Sequence, residues 1–288
     1  MSTMSVEISE RRRSAWLSIL SSTEGLIGAI LLGLVLLIIV FGPWLAPYPA
    51  DQLATARSLS GPSLQHPLGT DQLGRDVFSR FLNGGATVVF IPVIANLLGF
   101  ILGGTIGMLG VYLGRSWDNA IARLFDLMIA LPSLLLTLIL IAGMGSSWPA
   151  LVLTIALVTA PRAGRVVRGA AQVVAAQDYV LAARLRGESG LRVVAVEILP
   201  NAAAPILAIF SLYLTYAVIA VSTLSFLGLG AQPPSSDWGL MIADSRQFLV
   251  VNPWATLVPA GAIAALAISF TTLSDALSRE VAGEQGES

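Results

Sequence analysis

Long uncharged runs alternate with short polar segments along the chain. Between Glu24 and Asp51 lie 26 residues without Asp, Glu or Arg; later runs have 34 residues between Arg80 and Arg115, 35 between Asp126 and Arg162, 39 between Glu197 and Asp237, and 28 between Arg246 and Asp275. A hydrocarbon core of about 30 Å takes about 20 helical residues to cross, so every run can hold a transmembrane helix. The third run is interrupted by the turn formers Gly143-Met144-Gly145-Ser146-Ser147-Trp148-Pro149 and divides into two helices. The pattern predicts an all-α integral membrane protein with six transmembrane helices, at about 25–46, 86–112, 121–144, 149–168, 200–223 and 253–276.

The remaining segments predict a polar tail over 1–24 and an outer lobe, rich in Pro, Gly and Asp, over 47–85. A five-helix core over 86–276 carries an inner loop at 169–199 and an outer loop at 224–252, before a second tail over 277–288. Good helix formers precede Gly187 and a second helical run reaches Leu199-Pro200, so the inner loop reads as two short helices about a glycine turn. The first apolar run exceeds the 7–15 residues of a signal peptide core and lacks a small-x-small cleavage site, which predicts an uncleaved anchor helix. Arginine placement sets the orientation, because basic residues stay on the cytoplasmic side. With both termini inside, twelve arginines fall in cytoplasmic segments (Arg11, Arg12, Arg13, Arg115, Arg123, Arg162, Arg165, Arg168, Arg184, Arg186, Arg192 and Arg279), against four outside (Arg57, Arg75, Arg80 and Arg246).

Composition supports the membrane assignment, with 55% hydrophobic and 11% charged residues. All sixteen basic residues are arginine, so the chain has no lysine for a P-loop or a Schiff base. Any ATP chemistry must sit on another chain. With no cysteine and His66 as the single histidine, thiolate zinc sites, iron–sulfur clusters and multi-histidine centres are excluded, and neither a metal nor a cofactor is expected. A net charge of −1 gives no basic field for nucleic acid.

Three motifs resemble one family, the inner-membrane permease subunits of binding-protein-dependent ABC importers. The inner loop Asp178-Tyr179-Val180-Leu181-Ala182-Ala183-Arg184-Leu185-Arg186-Gly187, with Leu199-Pro200 following, is similar to the family's EAA loop, which the ATPase subunits grip. The outer segment His66-Pro67-Leu68-Gly69-Thr70-Asp71-Gln72-Leu73-Gly74-Arg75-Asp76-Val77-Phe78-Ser79-Arg80 resembles the hallmark of the C-type permease in the dipeptide/oligopeptide/nickel branch. So does Leu224-Ser225-Phe226-Leu227-Gly228-Leu229-Gly230-Ala231-Gln232-Pro233-Pro234 with Trp238-Gly239 after it. The resemblance runs from about residue 20 to 279 and implies a type I ABC importer permease fold in a bacterial cytoplasmic (inner) membrane. It implies a second, homologous permease, two cytoplasmic ATP-binding subunits and an extracytoplasmic solute-binding protein as partners. Short peptides are the commonest cargo it implies; nickel chelates, haem and other small solutes are the alternatives. Leu181 stands where the family usually has Glu, so the acidic contact expected there is absent.

From the resemblance, Asp178, Tyr179, Leu181, Ala182, Ala183, Arg184, Gly187, Leu199 and Pro200 are the expected ATPase-coupling residues. Gly69, Thr70, Asp71, Gly74, Arg75, Asp76, Gln232, Pro233 and Pro234 are expected to face the receptor. Gly187 would allow a sharp turn or a close backbone approach. Gly99, Gly103 and Gly107 form a small-residue ladder on the second span, expected to pack against another helix rather than lipid. Arg162, Arg165 and Arg168 are expected to snorkel to lipid phosphates, and Asp126 and Asp275 to sit too close to the interface for a proton relay. His66, without partner ligands, reads as a hydrogen-bonded loop residue. A secondary transporter working alone is the rival; broken helices, inverted repeats and buried charge pairs would mark it. An intramembrane protease would need a G-x-S-x-G motif or a membrane-embedded histidine, and the chain has neither.

Overall fold

The computed structural model describes residues 22–286, the side chains of 280–286 excepted. The predicted tail arginines Arg11, Arg12 and Arg13 lie outside the described residues. Among those described, the regular structure is all helical apart from one isolated bridge between Thr70 and Asp76. The order is α1 (Thr23–Leu45), α2 (Val77–Leu113), α3 (Arg115–Ala130), α4 (Ser133–Met144), α5 (Trp148–Ala175), α6 (Asp178–Leu185), α7 (Gly190–Phe226), α8 (Trp238–Ser245) and α9 (Trp254–Gly286). Five of these are long and apolar enough to cross a bilayer, or six spans if α3 and α4 count as one.

The most extensive pairing joins α2 to α5. Gly99 lies against Ala156 and Thr159, Gly103 against Ala160 and Gly164, and Gly107 against Gly164 and Arg168. A Cβ at Gly103 would collide with the Ala160 carbonyl, so here the absent side chain lets two backbones touch. Residue numbers rise together on the two helices, which makes α2 and α5 parallel. Two parallel spans need one crossing between them, and only α3 and α4 lie there in sequence. The bent pair is therefore the third of six crossings.

That crossing differs from the straight helix expected at 121–144. Leu131 is extended, with φ −75° and ψ 133°, and α3 meets α4 at 89°. Pro132 accounts for the break, because its ring pushes the preceding residue out of the helical region. Other boundaries move outward. The second span begins at Val77 rather than 86, since Asp76 accepts a hydrogen bond from Ser79 N (2.7 Å) and caps the first turn. Helix α5 continues to Ala175. The run from Gly190 to Phe226 is continuous through a π-helical turn at Val193–Ile198. Helix α9 continues to Gly286, where a tail from 277 was expected, because no proline or glycine falls between Gly261 and Gly283.

Within its most apolar stretch α5 is 67% buried by the rest of the chain, whereas α1 and α9 are each 28% buried. Helix α5 is therefore the central span, and α1 and α9 lie at the periphery with most of their surface turned outward. Three apolar clusters fill the interior: Val77, Phe81, Trp238 and Leu266 near the start of α2; Ile91, Ile155 and Leu224 in the middle; and Phe100, Val167, Val180 and Ile198 near its end.

Gly103→Leu should destabilise the fold by about 1–3 kcal/mol through overpacking. Gly33→Leu, at a glycine with nothing within 4 Å of its would-be Cβ, should be neutral. Thermal unfolding in detergent compares the two variants, and equal melting temperatures would refute the helix contact.

Candidate functional site: the two polar ends of the bundle

The lobe precedes α2, and the loop containing α6 follows the C-terminal end of its parallel partner α5, so they occupy opposite ends of the bundle. In the lobe, the Asp71 carboxylate accepts from Arg75 Nε (2.6 Å), Arg75 N (3.0 Å) and Leu73 N (2.8 Å). Arg80, 2% exposed, lies 3.7 Å from Asp71 and donates to the carbonyls of Ala50 (3.2 Å), Pro234 (3.5 Å) and Ser235 (2.8 Å). One guanidinium thus ties the lobe to the distant 224–252 loop. Trp238, fully buried, stacks on Phe81 and donates from Nε1 to the Phe81 carbonyl (2.9 Å). Asn252 Nδ2 donates to the carbonyls of Leu68 (3.0 Å) and Thr70 (3.2 Å). His66 Nδ1 is 2.9 Å from Asp76 Oδ1, and the ring stacks on Tyr48.

Two carboxylates in this region have raised pKa values. Burial raises Asp237 above the ordinary carboxylate range, against hydrogen bonds from Thr87 (2.5 Å) and Leu240 N (3.1 Å). Burial also raises Asp244, with Arg75, 3.7 Å away, and Arg80 pulling the other way.

Gly69, Thr70, Asp71, Gly74, Arg75 and Asp76, expected on the receptor-facing surface, are all buried. They form the frame of the lobe; residues such as Leu64 and Leu73 form its skin, and Gln232, Pro233 and Pro234 are exposed. Linear reading missed the frame because Arg80 and Ser235, 155 positions apart, carry no mutual signal.

At the other end, α6 turns Val180 and Ala183 inward against Val167, Ala171, Val193 and Ile198. Its outer face carries Asp178, Tyr179, Leu181, Ala182, Arg184 and Leu185, all exposed. The helix ends in a Schellman motif: Gly187 N donates to Arg184 O (3.0 Å) and Glu188 N to Ala183 O (3.3 Å), with Gly187 at φ +77°. Nothing lies within 4 Å of the site a Gly187 Cβ would take. Of the two roles expected for this glycine, its own chain requires the turn and shows no close approach. Leu199 and Pro200 are exposed, with Pro200 in the first α-helical turn after the π segment.

The arginine row on α5 also differs from expectation. Arg168 grips Asp118 through Nε (2.5 Å) and Nη2 (2.7 Å), and Arg165 pairs with Asp126. Two of the three arginines thus find carboxylates on α3 instead of snorkelling to lipid. Among the described residues, no group of three His, Asp or Glu side chains converges as a metal site.

Residues 69–283 match the family described as binding-protein-dependent transport system inner membrane component, and residues 11–67 match the N-terminal transmembrane domain of oligopeptide transport permease C. The chain belongs to this family of transport permeases. Among its relatives is the dipeptide transport system permease protein DppC of Alkalihalophilus pseudofirmus, 34% identical over 265 residues, covering 92% of this permease and 87% of that protein. Another is the glutathione transport system permease protein GsiD of Escherichia coli, 35% identical over 245 residues, covering 85% and 81%. Inward-facing MetNI, a methionine ABC transporter, shares the fold at a TM-score of 0.58 and 15% identity, over 69% of this permease and 95% of that chain. The permease is a multi-pass membrane protein of the ABC importer family, whose members work with separate ATPase and solute-binding components.

Arg80→Gln should cost the permease about 3–5 kcal/mol, because it strands three carbonyls and removes one of the two guanidinium groups beside the buried Asp71 carboxylate. Leu64→Gln, on the lobe's skin, should stay within about 0.5 kcal/mol of wild type. Limited proteolysis of the lobe in detergent reads both, and wild-type resistance in Arg80→Gln would show that the buried frame is dispensable.

Proposed function

We propose that the permease is one of two related membrane subunits of an ATP-driven importer of di- or oligopeptides in a bacterial inner membrane, with both termini cytoplasmic. Relatives named as dipeptide and peptide permeases support the cargo. The division of arginines, twelve against four, supports the orientation. A binding protein delivers solute to the lobe end, at Gln232, Pro233, Pro234 and the exposed lobe residues. Gly69, Thr70, Asp71, Gly74, Arg75 and Asp76 hold that surface in shape from beneath. Two cytoplasmic ATPases grip the opposite end.

The observation that carries this reading is the two-faced character of α6. Its exposed side presents Tyr179 (43% exposed), Leu181 (56%) and Leu185 (81%), an apolar surface suited to a protein groove. Its inner side is packed on the end of α5 and the start of α7. Force applied to α6 by closing ATPases therefore reaches two spans at once. Leu181 makes this contact by apolar packing where relatives would use an acidic side chain.

The Schellman turn gives the test. A β-branched residue at φ +77° costs about 1–2 kcal/mol, so Gly187→Val should lower ATPase stimulation by loaded binding protein about tenfold in reconstituted complexes. Asn tolerates that conformation, so Gly187→Asn should retain most stimulation, and Leu181→Ala should have an effect milder than Gly187→Val. Full stimulation and peptide uptake in Gly187→Val would reduce 178–200 to a connector. Sidedness is tested separately in this cysteine-free chain. Leu64→Cys and Gln232→Cys should react with an impermeant maleimide in intact cells, and Leu185→Cys only after permeabilisation; the reverse pattern would invert the topology.

A further inference from the structure

A cleft of about 620 Å³ opens between α4, α5 and α7, within the size range of ligand pockets. Its polar lining includes Thr137, Thr159, Arg162, Tyr213, Tyr216 and Thr223, set in otherwise apolar walls, and no carboxylate lines it. Arg162 is half-buried there. At about 1.5 Å per residue it lies roughly 21 Å along α5 from Trp148, at the end of that helix's uncharged stretch. A half-buried charge is costly unless something neutralises it.

The arginines one and two turns further on have that neutralisation. Arg165 pairs with Asp126 and Arg168 with Asp118. Arg162 has no carboxylate partner among the described residues; its Nη1 donates to the Val158 carbonyl of its own helix at 3.3 Å. The counter-charge must come from outside the described residues. A lipid phosphate only accepts, so it would leave the threonine hydroxyls beside the arginine unused. Thr137 and Thr223 each donate their proton to their own helix, to Ser133 O and Ile219 O at 2.7 Å, which leaves their oxygen lone pairs facing outward as acceptors. The Tyr213 and Tyr216 hydroxyls have no partner among the described residues and can donate or accept. A planar guanidinium beside several acceptors suits a molecule with a carboxylate at one point and N–H groups nearby.

We propose that Arg162 holds the carboxylate of the passing solute on the translocation path, and that the cleft therefore favours solutes with a free carboxylate over their neutral counterparts. This rests on the peptide-importer reading above and names a contact for it. Arg162 fits a transient role. Among the described residues its one bond is to a backbone carbonyl of its own helix, so it can release one anion and take the next without breaking a salt bridge there.

The test uses the whole reconstituted complex with its binding protein, and compares uptake of dialanine with uptake of dialanine amide, which lacks the carboxylate. The acid-to-amide uptake ratio should fall about tenfold from wild type to Arg162→Gln, the loss expected for one charge-assisted contact. Both complexes use the same binding protein, so its own preference cancels when the ratios are compared. Arg162→Lys keeps the charge without the planar fork and should give an intermediate ratio. Should Arg162→Gln fail to assemble, the lysine variant decides: a ratio equal to wild type overturns the proposal. An unchanged ratio in Arg162→Gln, or equal loss of both solutes, would mean that Arg162 pairs with another subunit or with lipid, and overturns it too. A wild-type complex that carries neither solute would sink the peptide reading and this inference with it. A wild type that carries the acid beside an Arg162→Gln complex that carries it equally well would sink the inference alone.

Discussion

Backbone contact between two parallel spans fixes the rest of the molecule. Where Gly103 meets Ala160 and Gly164, α2 and α5 approach with no side chain between them, and a register slip would place a Cβ inside a carbonyl. In a bilayer, where apolar surface gains nothing by leaving lipid, such close packing is among the main attractions available. Its consequences spread along both helices. The parallel pair obliges α3 and α4 to cross between them, and brings the end of α5 beside α3, where Arg165 and Arg168 meet Asp126 and Asp118. At the same end Gly190 comes against the ring of Tyr112, which seats the start of α7 under the end of α2.

The two ends of this frame solve different problems. At the lobe end, polar groups are turned inward and satisfied: Asp71, Arg75, Arg80, Asp237 and Asn252 bond to one another's segments, and the result is a surface held from beneath. Removing any one of them leaves a desolvated partner, so the lobe resists deformation. At the loop end the arrangement is reversed. Apolar side chains such as Leu185 face outward on a short helix tied down by Val180 and Ala183. A stiff platform at one end and an open apolar grip at the other suit a part that is docked on one side and pulled on the other.

Much of this was legible in the sequence, and the failures have physical causes. Uncharged run length located the five long spans because bilayer thickness is a one-dimensional constraint, but it missed the break in the third crossing. The glycine spacing on the second span marked a helix face, and Gly187 marked a turn, since both depend on neighbouring positions. Burial of the lobe motif was illegible. Asp71, Arg75 and Asp76 are polar residues in a segment outside the bilayer, and their partners come from positions far along the chain. The arginines of α5 misled for a related reason: pairing Arg168 with Asp118 requires knowing that α3 folds back along α5. The extension of α2 to Val77 was hidden because Ser79 and Arg80 look like loop residues until the 224–252 loop is laid over them.

The broken third span is the feature that sequence reading associated with a lone secondary transporter, and it takes another meaning within this family. Helix α3 carries Arg115, Asp118, Arg123 and Asp126, too much charge for a straight path through hydrocarbon. The 89° bend removes that helix from the crossing direction, and leaves the crossing to α4, whose twelve residues extend only about 18 Å. Around Leu131 the backbone is extended, and the last carbonyls of α3 lie beyond the reach of intrahelical donors. Lipid cannot satisfy them, so non-helical backbone at membrane depth belongs against protein or water. Leu131 is half exposed among the described residues, which leaves room there for water or another chain. Ser133 and Thr137, just past the break, line the same cleft as Arg162. The short helix, the break and the unpaired arginine thus converge on one side of α5, the side that the proposed path and partner permease would occupy.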